Sequence, residues 1–184
     1  MLHKALQEQG IVSKTASLSC TYVPTDLYAA WSTVRSIRKS ASAELALQGV
    51  TGIAGAATKA YLAILPQTLE HLTCARYFNQ SLKGVTLPSS LQRLTFRDIF
   101  NQSLEGMALA SSLQSLTFGE WFNQSLEGVA LPSSLQSLTF GERFNQSLEG
   151  VTLPSSLQSL LFGERFNQSL EGVTLPSSLQ SLSF

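Results

Sequence analysis

Acid–base, nucleophilic and metal chemistry draws heavily on His, Cys and Asp, and the 184-residue sequence has only two of each: His3 and His71, Cys20 and Cys74, Asp26 and Asp98. No two of them form a recognisable motif. The sequence also lacks a Gly-rich phosphate loop, a His-Glu-x-x-His helix, a Cys-x-x-Cys pair and a Gly-x-Ser-x-Gly elbow. These absences argue against an enzyme, and no cofactor or metal is expected. Charge is scarce as well, at 13%, and twelve basic residues cancel twelve acidic ones. Nucleic-acid binding takes most of its affinity from neutralising phosphates, so a net charge of zero argues against it. Disorder pairs low hydrophobicity with high net charge, whereas this chain is 43% hydrophobic and long enough for one domain with a continuous core.

The first ten residues lack the apolar run of a secretory signal, which favours the cytoplasm. Residues 45–65 are long enough to span a bilayer but are dominated by Ala and Gly. Gln48 and Lys59 also interrupt them, and a central Lys costs roughly 3 kcal/mol on insertion. A packed segment is therefore expected there in place of a membrane span. Cys74 occupies a position where later copies carry Phe, which suits a buried thiol. Whether it pairs with Cys20 stays open.

What the chain has in excess is Leu and Ser, 31 and 27 residues. From Phe78 onward one unit recurs every 22 residues: Phe78-Asn79-Gln80-Ser81-Leu82 returns at 100–104, 122–126, 144–148 and 166–170. Leu87-Pro88-Ser89-Ser90-Leu91 returns likewise, with Ala110 for Pro in the second copy. An incomplete earlier copy, Leu65 to Cys74, is in phase. A fixed period of this length is the signature of a solenoid, in which each unit buries its apolar face against the next.

Each unit repeats one apolar pattern twice, as Leu82-x-x-Val85-x-Leu87 and Leu91-x-x-Leu94-x-Phe96. Both halves end in strand alternation, and neither sustains helical periodicity. The spacing predicts a mainly β solenoid of 22-residue coils with two short parallel strands per coil. Gly84, Pro88, the Ser-Ser pair and the series Gly119, Gly141 and Gly163 supply the corners. Stacked coils place equivalent side chains about 4.8 Å apart, so each position becomes a column. The column of Asn79, Asn101, Asn123, Asn145 and Asn167 is expected to be a structural ladder, its amides satisfying turn backbone in neighbouring coils. The Asn-Gln-Ser triplets are formally glycosylation acceptors, but five glycans on one column would collide.

These motifs, Phe-Asn-Gln-Ser-Leu followed by Leu-Pro-Ser-Ser-Leu-Gln-Ser-Leu-Thr-Phe-Gly, resemble the FNIP repeat, a short relative of the leucine-rich repeat. The resemblance covers about residues 65–184 and implies a leucine-rich-repeat-like solenoid. The chain departs from the family in carrying Ser81, Ser103, Ser125, Ser147 and Ser169 where Pro is usual. Some such proteins bear an N-terminal F-box or kinase domain. Residues 1–64 show neither, so the roles those domains imply do not carry over.

Several columns invite a function. Glu105, Glu127, Glu149 and Glu171 form a like-charge column best read as a solvated face, since a calcium site wants six to eight oxygens. Glu120, Glu142 and Glu164 lie beside Trp121, Arg143 and Arg165, where the charges should compensate. Thr95, Thr117, Thr139, Leu161 and Ser183 form one outward strand column; Arg93, Ser115, Ser137, Ser159 and Ser181 form another. Such hydroxyl columns suit a regular surface, glycan or ice, but Leu161 interrupts them. Near-identical repeats offer a partner little distinctive chemistry, so the anchors for a protein partner are sought among the exceptions: Trp121, Arg93, Arg97, Ile99 and Leu161. The leading expectation is a non-catalytic protein-interaction scaffold. A glycan- or ice-binding solenoid comes second, and a recently duplicated chain without selected activity third.

Residues 1–64, with six basic and three acidic side chains, are expected to form a partly helical N-terminal cap or targeting segment, and 65–184 the repeat domain. Within the cap, Ser17–Val23 alternates like a strand. Asp26 can cap a helix with Leu27, Trp31, Val34 and Ile37 on its apolar face. Phe184 falls at the end of a strand pattern with no divergent unit after it, which suggests a truncated product or end-to-end self-association through the open coil.

Overall fold

Three turns and one short strand make each coil of the computed structural model, which describes residues 52–56, 59–62 and 65–184. The strands are β1 (Gly52–Ala56), β2 (His71–Cys74), β3 (Arg93–Thr95), β4 (Ser115–Thr117), β5 (Ser137–Thr139), β6 (Ser159–Leu161) and β7 (Ser181–Ser183). A single helical turn, α1 (Lys59–Leu62), follows β1. All seven strands pair in parallel and in chain order. From β2 onward the register is one repeat: Leu72 faces Leu94, then Leu116, Leu138, Leu160 and Leu182. The strand and helix expected within residues 17–37 lie outside the described residues. Part of the apolar stretch 45–65 is β1 and α1, and no helix among the described residues is long and apolar enough to cross a membrane.

The 22-residue parallel coil is present, but only the second of the two expected strands forms. In the first half, a turn closed by the Val85 amide donating to the Leu82 carbonyl places Gly84 at φ 72°, a left-handed conformation that favours glycine. Pro88 then opens the next turn, closed by the Leu91 amide on the Pro88 carbonyl. Between the two turns only Val85 to Leu87 remain, and Pro88 has no N–H to donate. One bridge, Thr86 with Ala108, is all the pairing that this side achieves. On the strand side, by contrast, successive amides such as Gln92 and Arg93 both donate to the Glu70 carbonyl, and every later coil repeats this.

Serine does much of the stitching between coils. Ser90 Oγ donates to the carbonyls of Gln67 and Leu69, and Ser112 and Ser134 do the same one and two coils on. Where the family usually has Pro, Ser103 Oγ accepts the Glu105 amide at 3.0 Å, closing a small side-chain turn that Ser125, Ser147 and Ser169 repeat. Asn79 Oδ1 accepts from the Asn101 amide at 2.9 Å and from Gln102 Nε2 at 3.0 Å; Asn101, Asn123 and Asn145 repeat the pair of bonds.

The core is apolar throughout, and among the described residues no polar or charged residue is buried as a whole. All ten Phe of the chain join one stack. Rings next to the strands repeat at 5.5–5.7 Å, as Phe96, Phe118, Phe140, Phe162 and Phe184. Rings at the following corner, Phe78 to Phe166, repeat at 5.9–6.1 Å. Equivalent rings are thus closer together beside the strands than at the corner that follows. Cys74 takes the corresponding slot in the first coil, fully buried, and burial pushes its thiol up to about 12. The neutral thiol therefore favours the fold below pH 9.0, and that contribution is lost as pH rises from there towards 12. With Cys20 replaced by serine, Cys74 is expected to react with a thiol reagent at pH 8 only as fast as the chain unfolds; rapid labelling of the folded protein would contradict this burial.

Candidate interaction face

The sheet carries two outward columns because strand alternation turns its Leu column inward. Arg93 aligns with Ser115, Ser137, Ser159 and Ser181, and Thr95 with Thr117, Thr139, Leu161 and Ser183. His71 and Thr73 on β2 extend both columns by one coil. Arg93 is exposed, and Leu161 is 38% exposed where its neighbours carry hydroxyls. Five of the six candidate face residues, Arg93, Thr95, Thr117, Thr139 and Leu161, therefore share one surface.

Trp121 lies elsewhere, at the corner that follows the strand. There a second backbone ladder runs from coil to coil: the amides of Ile99, Trp121, Arg143 and Arg165 donate to the carbonyls of Arg76, Asp98, Glu120 and Glu142. The ladder aligns Tyr77, Ile99, Trp121, Arg143 and Arg165 along one edge. Trp121 is 44% exposed, with the Arg143 guanidinium 3.5 Å from its ring centre. That stacking leaves Arg143 Nε buried without a hydrogen bond, 3.7 Å from the Glu120 carboxylate. Arg165 pairs with Glu142 at 3.1 Å, and Arg76 with Asp98. Tyr77, 75% exposed, is the residue that the sequence reasoning missed. Its signal is the 22-residue spacing to Ile99, which becomes visible once the incomplete first copy is counted as a coil.

The Glu column is exposed throughout, and Glu127 and Glu149 flank a shallow open groove with Ser125, Gln146, Ser147 and Gly150. No group of three or more His, Cys, Asp or Glu side chains able to hold a metal occurs among the described residues.

A family model described as FNIP Repeat matches the chain at residues 78–120, 100–143, 122–164 and 144–184. No curated protein matches it. Among solved structures, the chain is similar to the crystal structure of CroV588, described as a novel circular LRR protein structure, with 46% sequence identity and a TM-score of 0.59. The likeness covers 64% of this chain and 17% of that one, so the chain spans about a sixth of its length.

Proposed function

The chain belongs to the FNIP repeat family, and we propose that it is a non-catalytic scaffold that holds a protein partner against its parallel sheet and the neighbouring Trp121 corner. The observation that carries this reading is the placement of its exceptions. The repeats are nearly uniform inside, and three of the side chains that break the pattern, Arg93, Leu161 and Trp121, stand exposed on the sheet or its adjoining corner. Trp and Arg are the residue types that most often anchor protein interfaces.

A second reading rests on Thr95, Thr117 and Thr139, which the register aligns at strand spacing. Regular hydroxyls suit a glycan or an ice surface, and a glycan array together with an ice-recrystallisation assay tests that reading. For the scaffold, cross-linked capture from the native extract is the test. Replacing Arg93 with serine and Trp121 with alanine together is expected to reduce the captured partner at least tenfold while the chain stays folded, about 0.7 kcal/mol or more per anchor. Equal capture by the variant would count against this face.

A further inference from the structure

β3 differs chemically from the strands that follow it. It opens with Arg93, where β4 to β7 have Ser115, Ser137, Ser159 and Ser181, and two residues past its end stands Arg97, where later coils have Gly119, Gly141 and Gly163. The other three arginines among the described residues are paired, Arg76 with Asp98, Arg143 with Glu120 and Arg165 with Glu142. Arg93 and Arg97 have no carboxylate within ion-pair distance and no side-chain hydrogen bond among the described residues. Of the nearby acids, Asp98 and Glu120 hold Arg76 and Arg143, while Glu70, whose backbone carbonyl accepts the Arg93 amide, makes no ion pair among the described residues.

The surroundings of Arg93 carry donors. In register beside it are His71 and Ser115, and beside Thr95 are Thr73 and Thr117, so a block three strands wide presents hydroxyl, imidazole and guanidinium groups and no carboxylate. At the adjoining corner Tyr77 and Trp121 are exposed and Ile99 is half-buried between them.

We propose that the β2–β4 face is the docking site for an extended acidic segment of a partner protein, its carboxylates engaging Arg93 and Arg97 and an apolar side chain resting at the Trp121 corner. This rests on the scaffold reading and names the chemistry of the partner. The charge pattern selects the occupant. Arg93 opens β3 and Arg97 stands two residues past its end, so they are at most about 13 Å apart, within the separation of side chains four apart in an extended peptide laid along the strand. The surface is open sheet with no enclosing wall, so it suits a chain lying across it better than a single small anion. Nucleic acid is disfavoured because residues 65–184 carry six basic and nine acidic side chains.

The test is fluorescence anisotropy of the full chain with a labelled nine-residue peptide of alternating Glu and Thr. Arg93→Ser and Arg97→Gly together restore the residues that the next coil carries at these positions. The wild type is expected to bind the peptide, more tightly at about 0.01 M than at 0.15 M salt. The double variant should lose about tenfold in affinity, as expected for two exposed charge pairs. If the double variant melts at a lower temperature, Arg93→Ser alone, at an exposed position, should still lose about threefold. Unchanged affinity in a folded variant overturns the site. Equal binding of a Lys-Thr peptide does so as well. Competition by inorganic phosphate at the peptide's own concentration, or Arg-dependent binding to phosphatidylserine vesicles, overturns the assignment to a peptide. Capture of the native partner equally by wild type and double variant sinks this site and leaves the scaffold standing. Arg-dependent peptide binding with no partner captured by the wild type sinks the scaffold and leaves the site.

Discussion

Phe122→Ala is expected to destabilise the solenoid by about 4 kcal/mol, read from the midpoint of urea or thermal unfolding. Phe122 is fully buried, and its ring lies 3.8 Å from that of Phe118 within its coil and 6.1 Å from those of Phe100 and Phe144 in the coils on either side. Removing it takes away apolar contact and leaves a cavity that the two flanking coils cannot fill, because the backbone ladders on both sides fix their spacing. In a repeat array the interfaces between neighbours carry much of the stability, so a gap in the middle weakens two of them at once. The same change at Phe184, which is 66% exposed and stacks on rings of one neighbouring coil, is expected to cost under about 1 kcal/mol. Similar losses at the two positions would show that the Phe stack is not the main source of cohesion.

The period, the inward Leu column and the coil stacking were legible because a 22-residue repeat leaves the same chemistry at the same place five times over. The count of strands was not. Leu82-x-x-Val85-x-Leu87 and Leu91-x-x-Leu94-x-Phe96 bury side chains in the same rhythm, and an inward-facing pattern does not reveal whether backbone amides meet those of the next coil. That depends on the left-handed Gly84 and on Pro88, which confine the first half between two turns. The candidate face shows a similar division. Arg93, Thr95 and Leu161 could be placed on one surface from alternation alone. Trp121 could not be separated from them, because its place at a corner follows from a ladder of turn amides that no residue type announces. Its stacking with Arg143 is a contact between neighbouring coils, legible only as a 22-residue separation.

The glycines carry the sharpest difference that sequence leaves hidden, and Gly141→Ala is expected to destabilise the chain by about 3 kcal/mol against about 1 kcal/mol for Gly128→Ala. At Gly128 the backbone is left-handed, φ 72°, but a Cβ would meet open space, so the cost is conformational only. At Gly141 a Cβ would lie 2.2 Å from the Gly119 carbonyl oxygen and 2.4 Å from its carbon, both backbone atoms of the preceding coil. Relief requires the coils to move apart, against the hydrogen bond from the Arg143 amide to the Glu120 carbonyl at 3.0 Å. The chain contains its own precedent for that movement. Arg97 stands in the same column as Gly141, and at its interface the corresponding bond, from the Ile99 amide to the Arg76 carbonyl, is 3.5 Å long, against 2.9–3.1 Å at the three later interfaces. A side chain there thus goes with a stretched ladder. Gly141→Ala should accordingly speed hydrogen exchange at the Arg143 amide and change Trp121 fluorescence as the guanidinium lifts off the ring, while Gly128→Ala leaves both unchanged. If Gly141→Ala costs no more than Gly128→Ala and the Arg143 amide stays protected, the close approach of backbones at this corner does not set the coil spacing.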